Sequence, residues 1–224
     1  MSGERPATLY HVHDPMCSWC WGYRRVWDQL RGALPDSVKV VNVVGGLAPD
    51  TDQPMPLEQQ KTIAGYWKKI AEQTGAKFNF DFWEECQPRR STYPACRAVV
   101  AARKQDAEQA MIDAIQRAYY LRAMNPSDNS TLITLAGELG LDDKPFAADL
   151  VSPEIQAALE QDFALRRRIG VFSFPSLVLA QGEALNPIEV DYQTHQTSLE
   201  AIHLSLQSFA AGTAKQTRST LSFP

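Results

Sequence analysis

The stretch Asp14-Pro15-Met16-Cys17-Ser18-Trp19-Cys20-Trp21-Gly22 decides the fold, because it joins a strand pattern to a helix pattern. Residues 9–13 predict a short strand that the Asp-Pro pair ends, and residues 17–31 predict a helix. Cys17 therefore lies at a helix N-terminus, where free backbone N–H groups and the helix dipole stabilise a thiolate. Cys20 follows one turn later, at ~5–6 Å, a separation that a disulfide can span. We therefore expect the two thiols to open and close a disulfide reversibly.

The remaining pattern predicts an α/β fold with a helical interruption. Residues 38–44 are β-branched almost throughout and predict a buried strand, so the first 45 residues form a βαβ unit. Four apolar stripes at helical spacing follow. Ser152-Pro153-Glu154 then starts another helix, and strands at 176–180 and 187–191 precede a last helix from Thr197. The order is β-α-β, a helical block, then α-β-β-α, which without the block is the thioredoxin arrangement.

The predicted fold is thus thioredoxin-like with an inserted all-helical domain. Residues 7–45 together with 151–211 are expected to form the thioredoxin-like domain. Residues 46–150 are expected to form the insertion, and the polar residues 212–224 a loose C-terminal tail.

The composition excludes two classes of partner. A formal net charge of −4 over 224 residues argues against nucleic-acid binding, which needs a basic surface. No apolar run approaches the ~20 residues that a membrane-spanning helix needs. The first residues are polar and lack the apolar core of a secretion signal, so we expect a cytoplasmic protein. A secreted protein without its signal would look similar.

Four cysteines leave a metal-binding alternative open. A Cys-x-x-Cys pair is also half of a zinc site, and a non-catalytic, zinc-linked binding protein is one alternative. No second Cys-x-x-Cys or close His pair follows, so the sequence favours redox chemistry and no metal site. We expect Cys86 and Cys96 to be inert thiols, with a second redox pair as the alternative.

Two motifs together carry a resemblance to a known family. Residues 14–22 resemble the active-site segment of the DsbA-like family, especially its FrnE-like branch of bacterial thiol–disulfide oxidoreductases. Residues 171–176, Val-Phe-Ser-Phe-Pro-Ser, resemble the family's proline loop, and the likeness spans about residues 7–210. The resemblance implies that Cys17 is the exposed nucleophile, Cys20 the resolving cysteine, and Pro175 a cis proline that faces them.

The proline loop and the tryptophans are the expected substrate-binding elements. Local sequence alone favours an ordinary trans Phe174–Pro175 bond, whereas the resemblance implies cis. A cis bond would present the Phe174 backbone to an extended peptide. Trp19 and Trp21 flank the redox pair and are expected to form an apolar rim.

His11 is the candidate proton acceptor. Many thioredoxin-fold enzymes place a buried acid six residues before the first cysteine, where it handles the proton of the second. His11 occupies that position here, and histidine can accept a proton near neutral pH. A strand histidine without a proton role is the alternative; Asp14 is nearer to the pair but precedes a proline.

The expected function is thiol–disulfide exchange with protein or peptide disulfides, as an oxidoreductase or isomerase that also needs a redox partner. No cofactor is expected, with glutathione as a candidate co-substrate. Kappa-type glutathione transferases and hydroxychromene-carboxylate isomerases share this fold and supply an alternative, a glutathione-dependent enzyme. The intact Cys17/Cys20 pair argues against that alternative, since those families place a serine at the nucleophile position.

Overall fold

The structure is a computed structural model that describes residues 6–219, with side chains to residue 209. It confirms the predicted element order. The strands are β1 (Ala7–His13), β2 (Val38–Val44), β3 (Ser176–Gln181) and β4 (Ala184–Ile188). The helices are α1 (Ser18–Ala33), α2 (Leu57–Thr74), α3 (Phe82–Glu85), α4 (Tyr93–Arg103), α5 (Glu108–Leu121), α6 (Asn129–Glu138), α7 (Asp143–Asp149), α8 (Pro153–Arg168) and α9 (Gln196–Ser219). The fold is therefore the α/β, thioredoxin-like fold expected.

The four strands form one sheet in the order β2-β1-β3-β4. β3 and β4 are an antiparallel hairpin in which Leu177 faces Ile188 and Gln181 faces Ala184. The prediction of a strand at 187–191 was wrong, because the tight turn at Gly182, with a φ of 63°, starts the pairing at once. β4 is an edge strand, which tolerates its proline.

The chain packs as two compact units. The smaller comprises the described residues 6–11, 24–42 and 176–219, and its core includes Leu9, Val26, Leu30, Leu179 and Ile202, all fully buried. The larger comprises residues 12–23 and 43–175. These units differ from the predicted domain limits, since the larger one takes in the redox segment and α8.

Helix α4 is the centre of the larger unit. Every residue from Ala98 to Ala102 is buried, which the small side chains make possible. α8 joins this unit through Asp162, whose carboxylate accepts hydrogen bonds from Arg103 of α4 at 2.7 Å and from the Val44 amide at 3.0 Å. Ile155, Leu159 and Phe163 of α8 also belong to the buried apolar cluster of α4, so apolar contacts and the ion pair together place α8 with the helical block.

The last helix is longer than expected. The sequence predicts an end near residue 212, whereas α9 continues to Ser219. Alanine, lysine and glutamine after Gly212 favour helix enough to extend it across a single glycine, which costs about 1 kcal/mol. Residues 220–224 of the predicted tail lie outside the described residues. Within residues 6–219, none of the helices has the length and apolar character that crossing a bilayer requires.

Candidate active site

The redox segment forms a tight turn into α1. The Cys17 amide donates to the Asp14 carbonyl at 3.0 Å, and the Met16 amide donates to Asp14 Oδ1 at 2.9 Å. The Trp21 amide donates to the Cys17 carbonyl at 3.1 Å, so Cys17 caps the helix that begins at Ser18. Cys17 therefore occupies the helix N-terminus, as the sequence predicts.

The two thiols of the pair differ in acidity. The pKa of Cys17 is lowered, chiefly because the Cys20 thiol donates a hydrogen bond to it, with help from the Cys20 and Trp19 amides. Burial raises the pKa of Cys20 well above its ordinary value. The sequence argument predicts the direction at Cys17 and one of its causes, the amides at the helix terminus, but it misses the larger contribution of the Cys20 thiol. Cys17 is therefore the thiol of the pair that ionises more readily, and Cys20 is the one that holds its proton more firmly.

The proline loop lies against the redox pair. The Phe174–Pro175 bond is cis, as the family resemblance implies, and not trans, as the local sequence favours. The Cys17 thiol donates to the Phe174 carbonyl across 3.7 Å, so residues 157 positions apart in sequence meet. This contact leaves Cys17 only 7% exposed, less than the resemblance implies. The expected juxtaposition of the two motifs is confirmed.

The Phe174 ring is held from two sides. A Cβ atom added at Gly45 would overlap three carbon atoms of the ring, so glycine lets the loop after β2 pack directly against it. The Arg166 guanidinium lies 5.6 Å from the ring centre, within cation–π range. The basic end of α8 therefore helps to fix the carbonyl that faces Cys17.

Asp14 is the residue whose importance the sequence did not reveal. Its side chain is fully buried beneath the redox pair and accepts a hydrogen bond from four donors. Besides the Met16 amide, these are the Leu47 amide at 2.7 Å, Thr92 Oγ1 at 2.7 Å and Cys96 Sγ at 3.6 Å. Burial raises the pKa of Asp14, while the four donors oppose that rise. The Asp-Pro turn before the motif was the available signal.

His11 has an environment of its own in the smaller unit. It is buried, its Nδ1 lies 3.0 Å from Asn42 Oδ1, and its ring stacks on Trp27 with centroids 4.0 Å apart. Burial lowers the pKa of His11 from 6.5 to about 4. Such an imidazole holds a proton poorly at neutral pH, which argues against a proton store at His11.

The exposed apolar residues differ from those that the sequence predicts. Trp19 is partly exposed, but Trp21 stacks on buried Tyr120 at 5.4 Å and donates to the Lys77 carbonyl at 2.9 Å. The Trp21 side chain therefore packs against the interior and does not form the apolar rim that the sequence predicts. Phe172, 75% exposed in the proline loop, and Leu47, 38% exposed in the loop that binds Asp14, are apolar surfaces that the sequence analysis missed.

The other two cysteines are separate thiols. Cys86 donates to the Ala123 carbonyl at 3.0 Å, whereas Cys96, on α4, donates to Asp14. Burial raises the pKa of both thiols. All four cysteines are free thiols in this structure. Among residues 6–219, no three His, Cys, Asp or Glu side chains cluster closely enough to hold a metal ion.

The comparisons agree with this fold and this arrangement. Residues 8–199 match the family of DSBA-like thioredoxin domains, so the chain belongs to that family. It is similar to the structure of a candidate protein disulfide isomerase from Nitrosomonas europaea, with 28% identity, a TM-score of 0.79, and coverage of 91% of this chain and 99% of that one.

Two further relatives are informative. The cytosolic disulfide reductase DsbM from Pseudomonas aeruginosa, also solved with GSH, shares the fold at 23% identity, a TM-score of 0.71, and coverage of 93% of this chain and 99% of that one. The ClpXP adapter protein SpxH of Bacillus subtilis is 26% identical over 179 residues, 78% of this chain. The chain spans only 58% of that relative's length.

Proposed function

We propose that this protein is a thiol–disulfide oxidoreductase that exchanges disulfides with protein or peptide substrates through Cys17 and Cys20. The observation that carries the proposal is the contact of the Cys17 thiol with the Phe174 carbonyl beside cis-Pro175, at 3.7 Å. A nucleophilic thiol beside the backbone that leads into β3 suits pairing with an extended disulfide peptide. Membership of the DSBA-like family supports this chemistry.

The acidity difference supports the roles proposed for the two thiols. The Cys17 thiolate attacks one sulfur of the substrate disulfide, the substrate S–S bond breaks, and the departing sulfur leaves as a thiolate that takes a proton. Cys20 then loses its proton and attacks Cys17 Sγ. The substrate leaves as a dithiol, and a Cys17–Cys20 disulfide remains, which an external thiol must reduce. The lowered pKa of Cys17 suits the first attack, whereas the raised pKa of Cys20 means that its proton has to be removed before the second.

The substrate is proposed to lie along the proline loop. Phe172 and Leu47 offer exposed apolar surface, with Trp19 next to the nucleophile, so apolar residues beside the substrate cysteine are favoured. Pro175 and Phe174 supply the backbone against which the substrate pairs. Asp14, whose charge acts on Cys20, is proposed in place of His11 as the group that influences the proton of Cys20.

Glutathione is proposed as the thiol that returns the pair to its reduced state. The similarity to a cytosolic disulfide reductase solved with GSH supports this step and a cytoplasmic location. The alternative, a glutathione transferase or isomerase, would use Cys17 alone. Turnover of a small electrophile with glutathione that survives Cys20→Ser would favour that alternative over disulfide exchange.

Trapping of mixed disulfides tests the proposal. Cys20→Ala retains the nucleophile but cannot release the substrate, so covalent complexes with a scrambled or oxidised protein substrate accumulate on non-reducing gels. Cys17→Ala traps nothing, and Cys86→Ala, a distant thiol, behaves as the parent protein. Equal trapping by Cys17→Ala and Cys20→Ala, or none by either, would overturn the assignment. Insulin reduction and refolding of a scrambled protein then separate reductase from isomerase activity.

A further inference from the structure

A buried thiol outside the redox pair contacts the charge that lies beneath it. Cys96 is on α4, a helix that is otherwise almost entirely apolar and buried, and its Sγ lies 3.6 Å from Asp14 Oδ2. The same oxygen accepts from Thr92 Oγ1, one helical turn earlier. Thr92, which directly precedes α4, and Cys96 within α4 thus converge on a single carboxylate oxygen.

The carboxylate in turn acts on both cysteines of the pair. The negative charge of Asp14 raises the pKa of Cys17 and of Cys20. The Asp14 carbonyl accepts the Cys17 amide at 3.0 Å, which fixes the distance between the charge and the pair. Any group that changes the protonation of Asp14 therefore changes the reactivity of the two thiols.

We propose that Cys96 is a positioning residue that, with Thr92, keeps the Asp14 carboxylate ionised beneath Cys17 and Cys20, so that α4 tunes the redox pair. The proposal rests on the proposed disulfide exchange only for its redox consequence. Hydrogen bonds to a carboxylate favour its charged form, so each donor lost makes Asp14 neutral over a wider pH range. A neutral Asp14 leaves Cys17 more acidic.

Cys96 suits this role because it remains a donor. Burial and the Asp14 charge raise its pKa well above the ordinary value, so the thiol keeps its proton while the carboxylate is ionised. Other titratable groups also act on Asp14 or Cys96. The pKa values of Tyr119 and Tyr120 on α5 are raised, and both stay neutral. Asp162 on α8, which acts on Cys96, is paired with Arg103 at 2.7 Å.

A graded series at position 96 tests the proposal. The measurement is the alkylation rate of Cys17, followed by mass spectrometry of its peptide from about pH 4 to about pH 9, which brackets the ordinary pKa values of Asp and Cys. Cys96→Ala removes a hydrogen-bond donor from Asp14. Cys17 is therefore alkylated faster than in the parent protein at pH values between the titration of Asp14 and that of Cys17. Cys96→Ser supplies a stronger hydrogen-bond donor, so Cys17 is alkylated as slowly as in the parent protein, or more slowly. Asp14→Asn reacts fastest, by roughly tenfold for one unit of thiol pKa.

The double variant separates tuning from packing. In Asp14→Asn, the further change Cys96→Ala has no charge to act on and leaves the Cys17 profile unchanged. An equal effect of Cys96→Ala with and without Asp14, or an alanine profile identical to the parent's, would refute the proposal. Cys96→Ser covers the case in which the alanine variant does not fold.

A second measurement separates this inference from the proposed function. Equilibration of the Cys17–Cys20 disulfide with glutathione should shift roughly tenfold towards the dithiol in Asp14→Asn, equivalent to ~30 mV. Cys96→Ala should shift it in the same direction by less. If the variants shift the pH profile of Cys17 alkylation but the protein exchanges no protein disulfide, the role of Cys96 stands and the proposed function fails. If the protein exchanges disulfides but the variants leave that profile unchanged, the proposed function stands and the role of Cys96 fails.

Discussion

Gly45→Ala tests whether the packing of Phe174 controls the site. The added methyl group overlaps three carbon atoms of the Phe174 ring, and the Arg166 guanidinium limits movement of the ring away from it. Overpacking of this kind costs about 1–3 kcal/mol. The backbone of Gly45 does not need a left-handed conformation, so alanine recovers ~0.5–1 kcal/mol from the unfolded chain. The midpoints of these two ranges leave a net loss of stability of about 1 kcal/mol.

The loss of activity should exceed the loss of stability. A displaced ring moves the Phe174 carbonyl, which lies 3.7 Å from the Cys17 thiol, so substrate pairing and the nucleophile are both disturbed. Urea unfolding measures the first effect, and insulin reduction by the folded variant measures the second. Gly65→Ala is the matched control: its methyl group meets open space in the middle of α2, and the change should stabilise by about 1 kcal/mol.

Phe174→Ala completes a double-mutant cycle. Once the ring is absent, Gly45→Ala has nothing to overlap, so the two changes together should be less harmful than the sum of each alone. Additive effects on stability, or a Gly45→Ala variant as stable as the parent protein, would refute the packing argument.

Three other outcomes are expected. Cys20→Ala raises the pKa of Cys17, since the Cys20 thiol is the main cause of its lowering; an unmoved inflection in Cys17 alkylation against pH would contradict this. The pKa of His11 is about 4 in the folded protein and 6.5 in the unfolded chain, so between these pH values the unfolded chain binds more protons. The free energy of unfolding therefore falls by about 3 kcal/mol as the pH is lowered from 6.5 to about 4. His11→Asn flattens that decline in urea unfolding. Asp162→Asn breaks the pair with Arg103 and costs about 3 kcal/mol by the same assay; a loss below about 1 kcal/mol would show the pair to be dispensable.

Local patterns predicted the elements well where periodicity and capping agree. The β-branched run at 38–44 is β2, and Ser152 caps α8 by accepting from the Ile155 amide at 3.1 Å. Long-range pairing is a different matter, because no local pattern records it. The position of β4 depends on the turn at Gly182, and the assignment of α8 depends on an ion pair between residues 59 positions apart.

In the candidate site, too, local patterns predicted some residues, and long-range contacts determine the others. The sequence pointed to Cys17 and Cys20 because helix geometry relates them, and the family resemblance added the proline loop. It overlooked Asp14, since burial and the donors from Leu47, Thr92 and Cys96 arise only on folding. For the same reason it favoured His11 as a proton acceptor, without the burial that lowers the pKa of that ring.

The stacking of Trp21 on Tyr120 makes the intrinsic fluorescence of the protein a reporter of its redox state. The indole belongs to the residue directly after Cys20, and its ring centre lies 5.4 Å from that of a tyrosine which also contacts Trp67. Light absorbed by the tyrosines of this cluster can pass to the indoles, whose emission responds to a nearby sulfur. Each opening or closing of the Cys17–Cys20 bond should therefore change the emission of the protein, and turnover can be followed in real time without a dye or a label.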